Sequence, residues 1–303
     1  MEKYEVSIII VSFNTLELTK QCLKSVYEQT KDISFEVIVI DNGSLDGSVE
    51  MIKQQFPYVI LIQNNDNLGF GKANNIGLTK AKGEYIFYLN SDTILLNNAV
   101  KIFYDYWKNN SGICALGCIL QDNNGGIIHS GANFPTYKDL CKYYSRRLFI
   151  NYAKSLAKFV GIAKKLKTIK QKKGRKPDFI RAGEIDYVTG ADLFLKNDEN
   201  AYFDEGFFLY YEETDLQLRL KKATGKKCIL LDEPKIVHLT YKDNPEIVIE
   251  SKSQIFNQVS AIKYAKKHLK KNPLFLKIVF RLNMMNPYIA KQKKSIVKDL
   301  LKF

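Results

Sequence analysis

The sequence is poor in cysteine: five occur among 303 residues, and no two of them stand in a Cys-x-x-Cys arrangement. An odd number of cysteines without such spacing argues against a disulfide framework and a structural zinc site, and it favours reduced thiols. The sequence also lacks any run of about 20 apolar residues, the length that a membrane-spanning helix needs. Its beginning does not combine the basic start, apolar run and cleavage site of a signal peptide. We therefore expect a cytoplasmic protein without a membrane-spanning helix.

Acidic residues are absent from one long segment and nearly absent from another. Residues 142–176 contain thirteen lysines and arginines and no acid, and residues 263–303 contain twelve against the single acid Asp299. The net charge of the chain is +14, so the residues outside these two segments together have a net charge of −10. A protein that is acidic outside two basic patches is expected to bind an anion through a bridging metal ion more readily than to bind a polyanion directly.

Both basic segments place apolar residues near helical spacing, in 152–170 and in 274–290. A basic amphipathic helix is typical of a protein that lies on an anionic membrane surface. A solvated helix packed on its domain has the same pattern, and for either segment alone the two interpretations are equally good. Basic patches also bind the phosphates of nucleic acids, but no nucleic-acid recognition motif accompanies the charge, so no nucleic acid is expected as a partner.

Short apolar strands alternate with helical patterns through the first third of the chain. Strands alternating with helices of this length predict a parallel sheet built from right-handed crossovers. The predicted strands are 6–11, 35–40, 59–63 and 85–89, with a further strand signal at 186–189. The predicted helices are 15–28, 46–55, one that passes through Thr79 and Ala81, and 97–107.

Three of the predicted strands end in polar loops: Ser12–Asn14, Asp41–Ser44 and Asn90–Asp92. The carboxyl ends of parallel strands meet at one edge of a sheet, where open α/β sheets bind their ligands. A carboxylate in such a place holds a divalent cation or a ligand hydroxyl. Strands also end in Asn, Ser or Asp for reasons of turn formation, but the repetition predicts a binding edge.

A glycine-containing loop, Asn65–Asn75, follows the third predicted strand. Its Gly69-x-Gly71 pair resembles part of the dinucleotide fingerprint, but Asn74 occupies the third glycine position and the loop does not follow the first strand. A nicotinamide enzyme is therefore disfavoured. The loop offers close backbone approach, a cation at Lys72 and amide side chains that bind hydroxyls. Taken alone it is more typical of a turn that begins a helix, but four such loops on one sheet edge favour a binding role.

A series of motifs follows one order between residues 6 and 240. These are Ser7–Asn14, Asp41–Ser48, Asn67–Asn75, Leu89–Asp92, Thr189–Ala191, Phe203–Leu216 and His238. In these motifs the chain resembles the family 2 glycosyltransferases of the GT-A fold, particularly their rhamnosyltransferase-like branch. The basic stretch 142–180 and the C-terminal tail lie outside the resemblance.

The resemblance implies a site for a nucleotide-sugar donor. Asp41 would accept a hydrogen bond from the imide of uracil or thymine. Asp92 ends a DxD-like motif, written here Asn90–Asp92, and would ligate Mg²⁺ or Mn²⁺ that bridges the diphosphate, while His238 would supply an imidazole to the metal or the diphosphate. The first carboxylate of the motif is missing, so metal affinity would depend on the phosphates. The other donor-binding residues implied are Ser12, Asn14, Asn67, Gly71, Lys72, Asn74 and Ser91.

The role implied for His238 has a simpler structural alternative. A lone histidine after two apolar residues, such as His238, is also typical of a buried core histidine.

The predicted catalytic residues also have an alternative interpretation. The resemblance implies direct displacement with inversion at the anomeric carbon, which needs a carboxylate base and a Lewis acid. Glu213 is the predicted base, with Asp215 and Asp192 as reserves. Glu212 and Glu213 would also stabilise the positive end of a helix predicted over 216–222.

The fold class expected is α/β: a GT-A fold with a Rossmann-like, mostly parallel sheet flanked by helices, a basic helical insertion and a C-terminal helical tail. Residues 1–240 would form the glycosyltransferase domain. Its nucleotide-sugar-binding half would be 1–115, and its acceptor half would be 116–240 with the insertion 142–180. Residues 241–303 would form a basic helical extension.

The expected activity is transfer of a sugar from a UDP- or dTDP-linked donor to a saccharide or lipid-linked saccharide in cell-surface polysaccharide synthesis. Two basic segments in an enzyme with a lipid-linked acceptor favour a peripheral position at the anionic inner face of the cell membrane. The incomplete metal motif and the glutamate at 213, where the family has aspartate, leave open a catalytically silent sugar-nucleotide binder of an assembly complex. A nucleic-acid-binding protein is less favoured.

Overall fold

Twelve strands and eight helices occur in the described part of the chain. The structure is a computed structural model and describes residues 4–159, 181–239 and 250–286. The strands are β1 (Val6–Ser12), β2 (Phe35–Asp41), β3 (Ile60–Gln63), β4 (Tyr85–Asn90), β5 (Thr93–Leu95), β6 (Ile113–Cys118), β7 (Gly131–Ala132), β8 (Gly183–Ile185), β9 (Tyr187–Val188), β10 (Asp192–Lys196), β11 (Lys227–Leu231) and β12 (Ile236–His238). The helices are α1 (Leu16–Gln29), α2 (Ser48–Gln55), α3 (Phe70–Leu78), α4 (Ala99–Asn109), α5 (Tyr137–Phe159), α6 (Glu212–Thr224), α7 (Glu250–His268) and α8 (Leu274–Met285).

The first part of the chain builds one half of the central sheet from four parallel strands in the order β3-β2-β1-β4. These strands read as near-continuous apolar runs because helices cover both of their faces. The predicted alternation of strands and helices is confirmed, and the strand bounds differ from prediction by a single residue. Helix α3 ends at Leu78, short of Ala81, because the amides of Lys80 and Ala81 close a turn on the carbonyl of Gly77.

Strand β10 lies between β4 and β6 and runs antiparallel to both. Sequence analysis did not predict it, since its core is a three-residue apolar run, too short to show a period. Phe194 of β10 is fully buried, and its ring stacks on Tyr85 and Phe103 with centroid separations of 5.4 and 5.6 Å. Trp107 also contacts this ring. Aromatic packing of this kind joins β10 to β4 and to α4.

The remaining strands complete the sheet and add two small ladders. The full order of the large sheet is β3-β2-β1-β4-β10-β6-β11-β8. Strand β12 pairs antiparallel with β5, which directly follows the end of β4. Strand β9 pairs antiparallel with β7, and the side-chain amide of Gln217 on α6 bonds both the N–H and the carbonyl of Val188. The β5–β12 ladder thus connects a late part of the chain to the end of β4, and the β7–β9 ladder connects the middle of the chain to the segment before β10.

The chain divides into two compact units. In the described residues, unit 1 contains 4–134, 181–208 and 212–239, and unit 2 contains 135–159, 209–211 and 250–286. Unit 2 therefore combines helix α5 from the predicted insertion with helices α7 and α8 from the predicted tail. The domain bounds given by the sequence remain a prediction.

Unit 2 consists mainly of three helices that contact one another. Helix α5 covers the beginning of the basic amphipathic pattern predicted for 152–170, and α8 covers most of the one predicted for 274–290. Residues 160–170 of the first pattern and 287–290 of the second lie outside the described part of the chain. None of the helices in the described ranges is long and apolar enough to cross a membrane.

We expect Phe194→Ala to lower the free energy of unfolding by about 3–5 kcal/mol, the usual cost of removing a large aromatic ring from a close-packed core. Chemical denaturation measured by circular dichroism would give this value. Tyr58→Ala is the matched control, because Tyr58 is 88% exposed and should change stability very little. An equal, small effect of both changes would show that β10 is not held by its aromatic packing.

Candidate functional site

The ends of three parallel strands lie side by side in unit 1. Ser12 pairs with Asp41 across β1 and β2, and Val11 pairs with Asn90 across β1 and β4. The amide of Asn42 then donates to the carbonyl of Ser12 at 2.8 Å. Because these strands are parallel and in register, their polar ends form one edge of the sheet, as the sequence predicts.

Asp41 is buried at this edge, with 1% of its surface exposed. Its Oδ1 accepts hydrogen bonds from the amides of Gly43 and Ser44 at 3.1 and 2.8 Å. Its Oδ2 is buried and has no hydrogen-bond partner among the described residues. A buried carboxylate oxygen without a partner costs about 1–3 kcal/mol, so a ligand N–H that reached Oδ2 would relieve this penalty.

Asp92 and His238 meet beside the same edge. The β5–β12 ladder pairs His238 with Thr93, and the amide of Leu239 donates to the carbonyl of Asp92 at 2.9 Å. His238 Nε2 lies 3.1 Å from Asp92 Oδ1 and 3.5 Å from Asn90 Nδ2. Burial acts to lower the pKa of His238, but the hydrogen bond and charge of Asp92 together raise it above its ordinary value. The sequence prediction that brings His238 to Asp92 agrees with this geometry.

This pair has the donor chemistry for a divalent cation but does not complete a site. Among the residues that the structure describes, no group of three or more His, Cys, Asp or Glu side chains is arranged to hold a metal ion. One carboxylate oxygen and one imidazole nitrogen fit Mg²⁺ or Mn²⁺ when substrate phosphate oxygens and water supply the remaining ligands. Asp92 and His238 therefore fit a cation that arrives with a diphosphate.

Ser12 and Ser91 belong to a cluster of hydroxyl groups under the edge. Ser12 Oγ lies 3.3 Å from Thr15 Oγ1 and 3.0 Å from Thr19 Oγ1, and Thr15 Oγ1 lies 3.2 Å from Ser91 Oγ. Both serines are buried. Their hydroxyls hold the loop after β1 against the loop after β4. The sequence analysis assigned them to the donor and missed Thr15 and Thr19, whose helical spacing at the start of α1 was the available signal.

Asn14 connects the first two loops. Its Oδ1 accepts from the amide of Leu45 at 2.8 Å, and its own amide donates to Ser44 Oγ at 2.9 Å. Its φ of 51° is in the left-handed region, which asparagine tolerates better than most residues. The predicted donor-binding residue Asn14 is therefore engaged in shaping the loop that also contains Asp41.

The glycine-containing loop is held mainly by its own side chains. Asn67 Oδ1 accepts from the amide of Gly69 at 2.9 Å and from Asn42 Nδ2 at 3.4 Å. Gly69 has a φ of 83°, and a Cβ there would collide with the carbonyl oxygen of Phe208. At Gly71 a Cβ would lie 3.0 Å from Phe203 Cβ. These glycines allow close packing on the segment before α6.

The other two predicted donor-binding residues of this loop, Asn74 and Lys72, have different environments. Asn74 is buried and its Nδ2 donates to the carbonyl of Phe70 at 3.1 Å, a bond within helix α3. Lys72 is half-exposed and lies 3.7 Å from Glu205 Oε2. Surface ion pairs of this kind contribute little to stability, so Lys72 can exchange Glu205 for an anionic ligand at small cost.

The turn Thr189–Ala191 lies between the end of β4 and the beginning of α6, where Glu213 is located. The carbonyl of Ala191 accepts from the amide of Asn90 at 3.0 Å, which fixes the turn beside the end of β4. A Cβ placed on Gly190 would lie 3.6 Å from Glu213 Cβ, so this turn also contacts the beginning of α6. The helix starts at Glu212, not at the predicted Leu216, because the acidic first turn stabilises the positive helix end.

The three candidate bases differ in their surroundings. Burial raises the pKa of Glu213 to about 7. Burial also raises the pKa of Asp192 to about 7, but its Oδ2 accepts from the amide of Cys118 at 2.6 Å, inside the sheet. Asp215 has no exposed surface and forms an ion pair with Arg219 at 2.9 Å. Of the three, Glu213 alone combines partial exposure with a pKa close to neutrality.

Comparison with known proteins places these observations in a family. The model of Glycosyl transferase family 2 matches residues 7–161. A poly(ribitol-phosphate) beta-glucosyltransferase of Bacillus spizizenii is 30% identical over 128 residues, which are 41% of this chain and 20% of that protein. A cholesterol galactosyltransferase of Borreliella burgdorferi is 33% identical over 121 residues, which are 38% of this chain and 33% of that protein. This chain thus matches a third or less of the length of either relative.

A solved structure agrees over the whole chain. A mannosyltransferase of Pyrobaculum calidifontis, in complex with GDP-Man and Mn²⁺, superposes with a TM-score of 0.55 at 15% identity, covering 100% of this chain and 76% of that one. At this identity the likeness shows the fold, and the predicted GT-A fold is confirmed. The rhamnosyltransferase-like branch remains a prediction. Since the family model covers just over half of the chain, including β1, β2, β4 and the polar loops that follow them, the chain belongs to glycosyl transferase family 2.

Proposed function

We propose that the chain is an inverting glycosyltransferase that moves a sugar from a UDP- or dTDP-linked donor to a saccharide or lipid-linked saccharide. The observation that carries this proposal is the common register of the strand ends before Asp41 and Asp92, to which the Thr189–Ala191 turn brings Glu213. A donor site and a base on one edge are what direct displacement requires. Its product would belong to a cell-surface polysaccharide.

Asp41 would recognise the base of the nucleotide. Its Oδ1 is already occupied by two backbone amides, while its Oδ2 has no partner among the described residues. The imide N–H of uracil or thymine would donate to Oδ2. The carboxylate is buried, so the ligand would displace the loop residues that cover it, and the hydrogen bond to a charged acceptor would offset that change. The mannosyltransferase of similar fold binds GDP-Man, so guanine nucleotides belong in any donor comparison.

Asp92 and His238 would hold Mg²⁺ or Mn²⁺ together with the donor diphosphate. When bound, the cation would neutralise charge that builds on the departing nucleoside diphosphate. The single carboxylate of the Asn90–Asp92 motif supports a site that depends on substrate oxygens. Lys72, which is half-exposed in the first turn of α3, would add a positive charge.

Glu213 would act as the general base. Its carboxylate would accept the proton of the acceptor hydroxyl as the O–H bond breaks and the oxygen bonds to the anomeric carbon. The bond from that carbon to the diphosphate oxygen breaks on the opposite face, which inverts the configuration. A base with a pKa of about 7 has both proton affinity and a large ionised fraction at neutral pH. Asp215 and Asp192 remain the reserves.

We expect Asp41→Ala to weaken binding of free UDP about tenfold or more, with or without metal, because one hydrogen bond to a charged group is lost. Asp92→Asn should weaken only the metal-dependent part of UDP binding. Isothermal titration calorimetry with and without Mn²⁺ measures both. Asp105→Asn, on the surface of α4, is the control for loss of a carboxylate. If both site variants bind UDP, dTDP and GDP as the parent does, the donor site is assigned wrongly.

We expect Glu213→Gln to lower turnover by about 10²–10⁴ while leaving donor affinity nearly unchanged. Turnover of the parent should fall as the pH drops below about 7, because the raised pKa of Glu213 leaves the carboxyl protonated there. The variant should lack this acidic limb. Glu17→Gln, at an exposed position on α1, is the matched control. A variant with parental turnover would move the role to Asp215 or Asp192, and a parent that binds donor without transfer would indicate a silent binder.

We further propose that unit 2 rests on an anionic membrane surface. Helix α8 exposes five large apolar side chains, and Lys277 and Arg281 are exposed beside them. Helix α5 exposes a second apolar row, and the hydroxyl of Tyr152 donates to the carbonyl of Leu282, so the two helices are neighbours. The exposed apolar residues are Phe149, Tyr152 and Leu156 on α5 and Leu274, Phe275, Ile278, Leu282 and Met285 on α8.

We expect the double variant Leu274→Ser/Ile278→Ser of the full chain to sediment less with anionic vesicles than the parent, since apolar burial is lost while the basic charge remains. Raised salt should release part of the parent protein, and neutral vesicles should recruit much less of it. Leu45→Ser is the matched control, because Leu45 is 95% exposed and lies in unit 1. Equal sedimentation of parent and double variant would show that the exposed rows do not contact lipid.

A further inference from the structure

A polar pocket lies entirely within unit 2, apart from the candidate site. Its volume is about 250 Å³, and its lining residues are Tyr143, Arg147, Tyr210, Ser253, Gln254 and Asn257. Small-molecule sites usually measure about 300–1,000 Å³, so this pocket suits a ligand of roughly ten heavy atoms. No carboxylate lines it.

The lining groups are arranged as hydrogen-bond donors. Gln254 Oε1 accepts from Asn151 Nδ2 at 3.5 Å, and Asn257 Oδ1 accepts from the hydroxyl of Tyr144 at 2.5 Å. These bonds occupy the amide oxygens and leave the two side-chain N–H₂ groups without an acceptor among the described residues. Arg147 adds a guanidinium group beside them. Two amide donors and one cation in the same pocket favour an anionic ligand.

Arg147 is held in place without a counter-ion. Its Nη1 donates to the hydroxyl of Tyr143, and its guanidinium lies 5.4 Å from the centre of the Tyr143 ring. None of the ion pairs found among the described residues includes Arg147. A guanidinium positioned by an aromatic ring retains its charge and its bidentate donors for a phosphate or a carboxylate.

The wall that contains Tyr210 is conformationally strained. Tyr210 and the next residue, Tyr211, have φ values of 70° and 69°, in the left-handed region that bulky side chains rarely adopt. The hydroxyl of Tyr210 lies 2.5 Å from Ser253 Oγ, and that of Tyr211 lies 3.3 Å from the hydroxyl of Tyr144. Strain held by several contacts is typical of a binding site, and here it supplies a tyrosine and a serine hydroxyl to the pocket.

A buried amide network holds the helices that form the pocket. Asn151 Nδ2 also donates to Asn283 Oδ1 at 3.3 Å, and Asn283 Nδ2 donates to Gln258 Oε1 at 3.0 Å. The bond from Asn151 to Gln254 connects this network to the pocket wall. Gln258 Nε2, at the end of this network, is buried without a hydrogen-bond partner among the described residues. The bonds that are formed restrict the arrangement of the helices and so position the donors of the pocket before a ligand arrives.

We propose that this pocket binds a phosphorylated polyol or sugar, with the phosphate on Arg147 and the two amides and the hydroxyls on Tyr210 and Ser253. Such a group would be a phosphate-bearing unit of the acceptor, and in that respect the inference rests on the proposed function.

The test uses the full chain and three probes: sn-glycerol 3-phosphate, glycerol and inorganic phosphate. Calorimetry or ligand-observed NMR should show that glycerol 3-phosphate binds more tightly than glycerol or phosphate alone. Arg147→Gln should weaken this binding about tenfold or more. Arg146→Gln is the matched control, because Arg146 is the adjacent, exposed residue outside the pocket and carries the same charge. Equal affinity of the two variants would overturn the proposal.

Further measurements distinguish ligand binding in this pocket from donor binding, from sugar transfer and from lipid binding. Asp92→Asn should leave glycerol 3-phosphate binding unchanged, and Arg147→Gln should leave UDP binding unchanged. A chain that binds glycerol 3-phosphate but shows no transfer refutes the proposed function and keeps the pocket, whereas the reverse result refutes the pocket alone. If Arg147→Gln loses binding to phosphatidylglycerol vesicles but not to dissolved glycerol 3-phosphate, Arg147 contacts a lipid headgroup and the proposal fails.

Discussion

Hydrogen bonding of β1 to β2 on one side and to β4 on the other is the constraint on which the site depends. The hydrogen bonds between parallel strands are evenly spaced, so the pairing register determines which residue of each strand lies at the edge of the sheet. Ser12 therefore lies level with Asp41, and Asn90 lies one residue lower, level with Val11. A slip of one residue would also turn each strand's buried side chains to the opposite face, and the two apolar faces of the sheet make this costly.

The three strand ends form only part of the candidate site, and elements from later in the chain supply the rest. The antiparallel β5–β12 ladder returns His238 to the residues after β4, and the Thr189–Ala191 turn before β10 carries the beginning of α6 to the same strand end. These elements are separated from β4 by about a hundred residues or more in sequence. Long-range pairing and the contact of the turn with α6 place His238 and the beginning of α6 near the end of β4, and the packing of Phe194 on Tyr85 and Phe103 holds β10 beside that strand.

The sequence predicted the first four parallel strands because their apolar runs are long. Motif spacing indicated that Asp41, Asp92 and His238 belong to one site, and the structure brings His238 to Asp92, while the roles of all three stay predictions. Strand β10 was missed because three apolar residues carry no period. The packing of Gly71 on Phe203 joins segments more than a hundred residues apart, and no local pattern reveals it. The bonds of Asn67 to Gly69 and of Asn74 to Phe70 are local, but residue type alone does not separate such a structural role from donor binding. The pocket around Arg147 was also beyond sequence analysis, because residues from three distant segments line it.

The discontinuous composition of unit 2 has a consequence for synthesis on the ribosome. Helix α5 emerges long before α7 and α8, and its Asn151 bonds Asn283, a residue 132 positions later. A nascent chain can finish the parallel half of its sheet while α5 still has no helical partners, with its apolar side chains open to solvent. Because α5 can pack on α7 and α8 only after they have been synthesised, the chain is most prone to aggregation, and most accessible to a chaperone, before these two helices emerge.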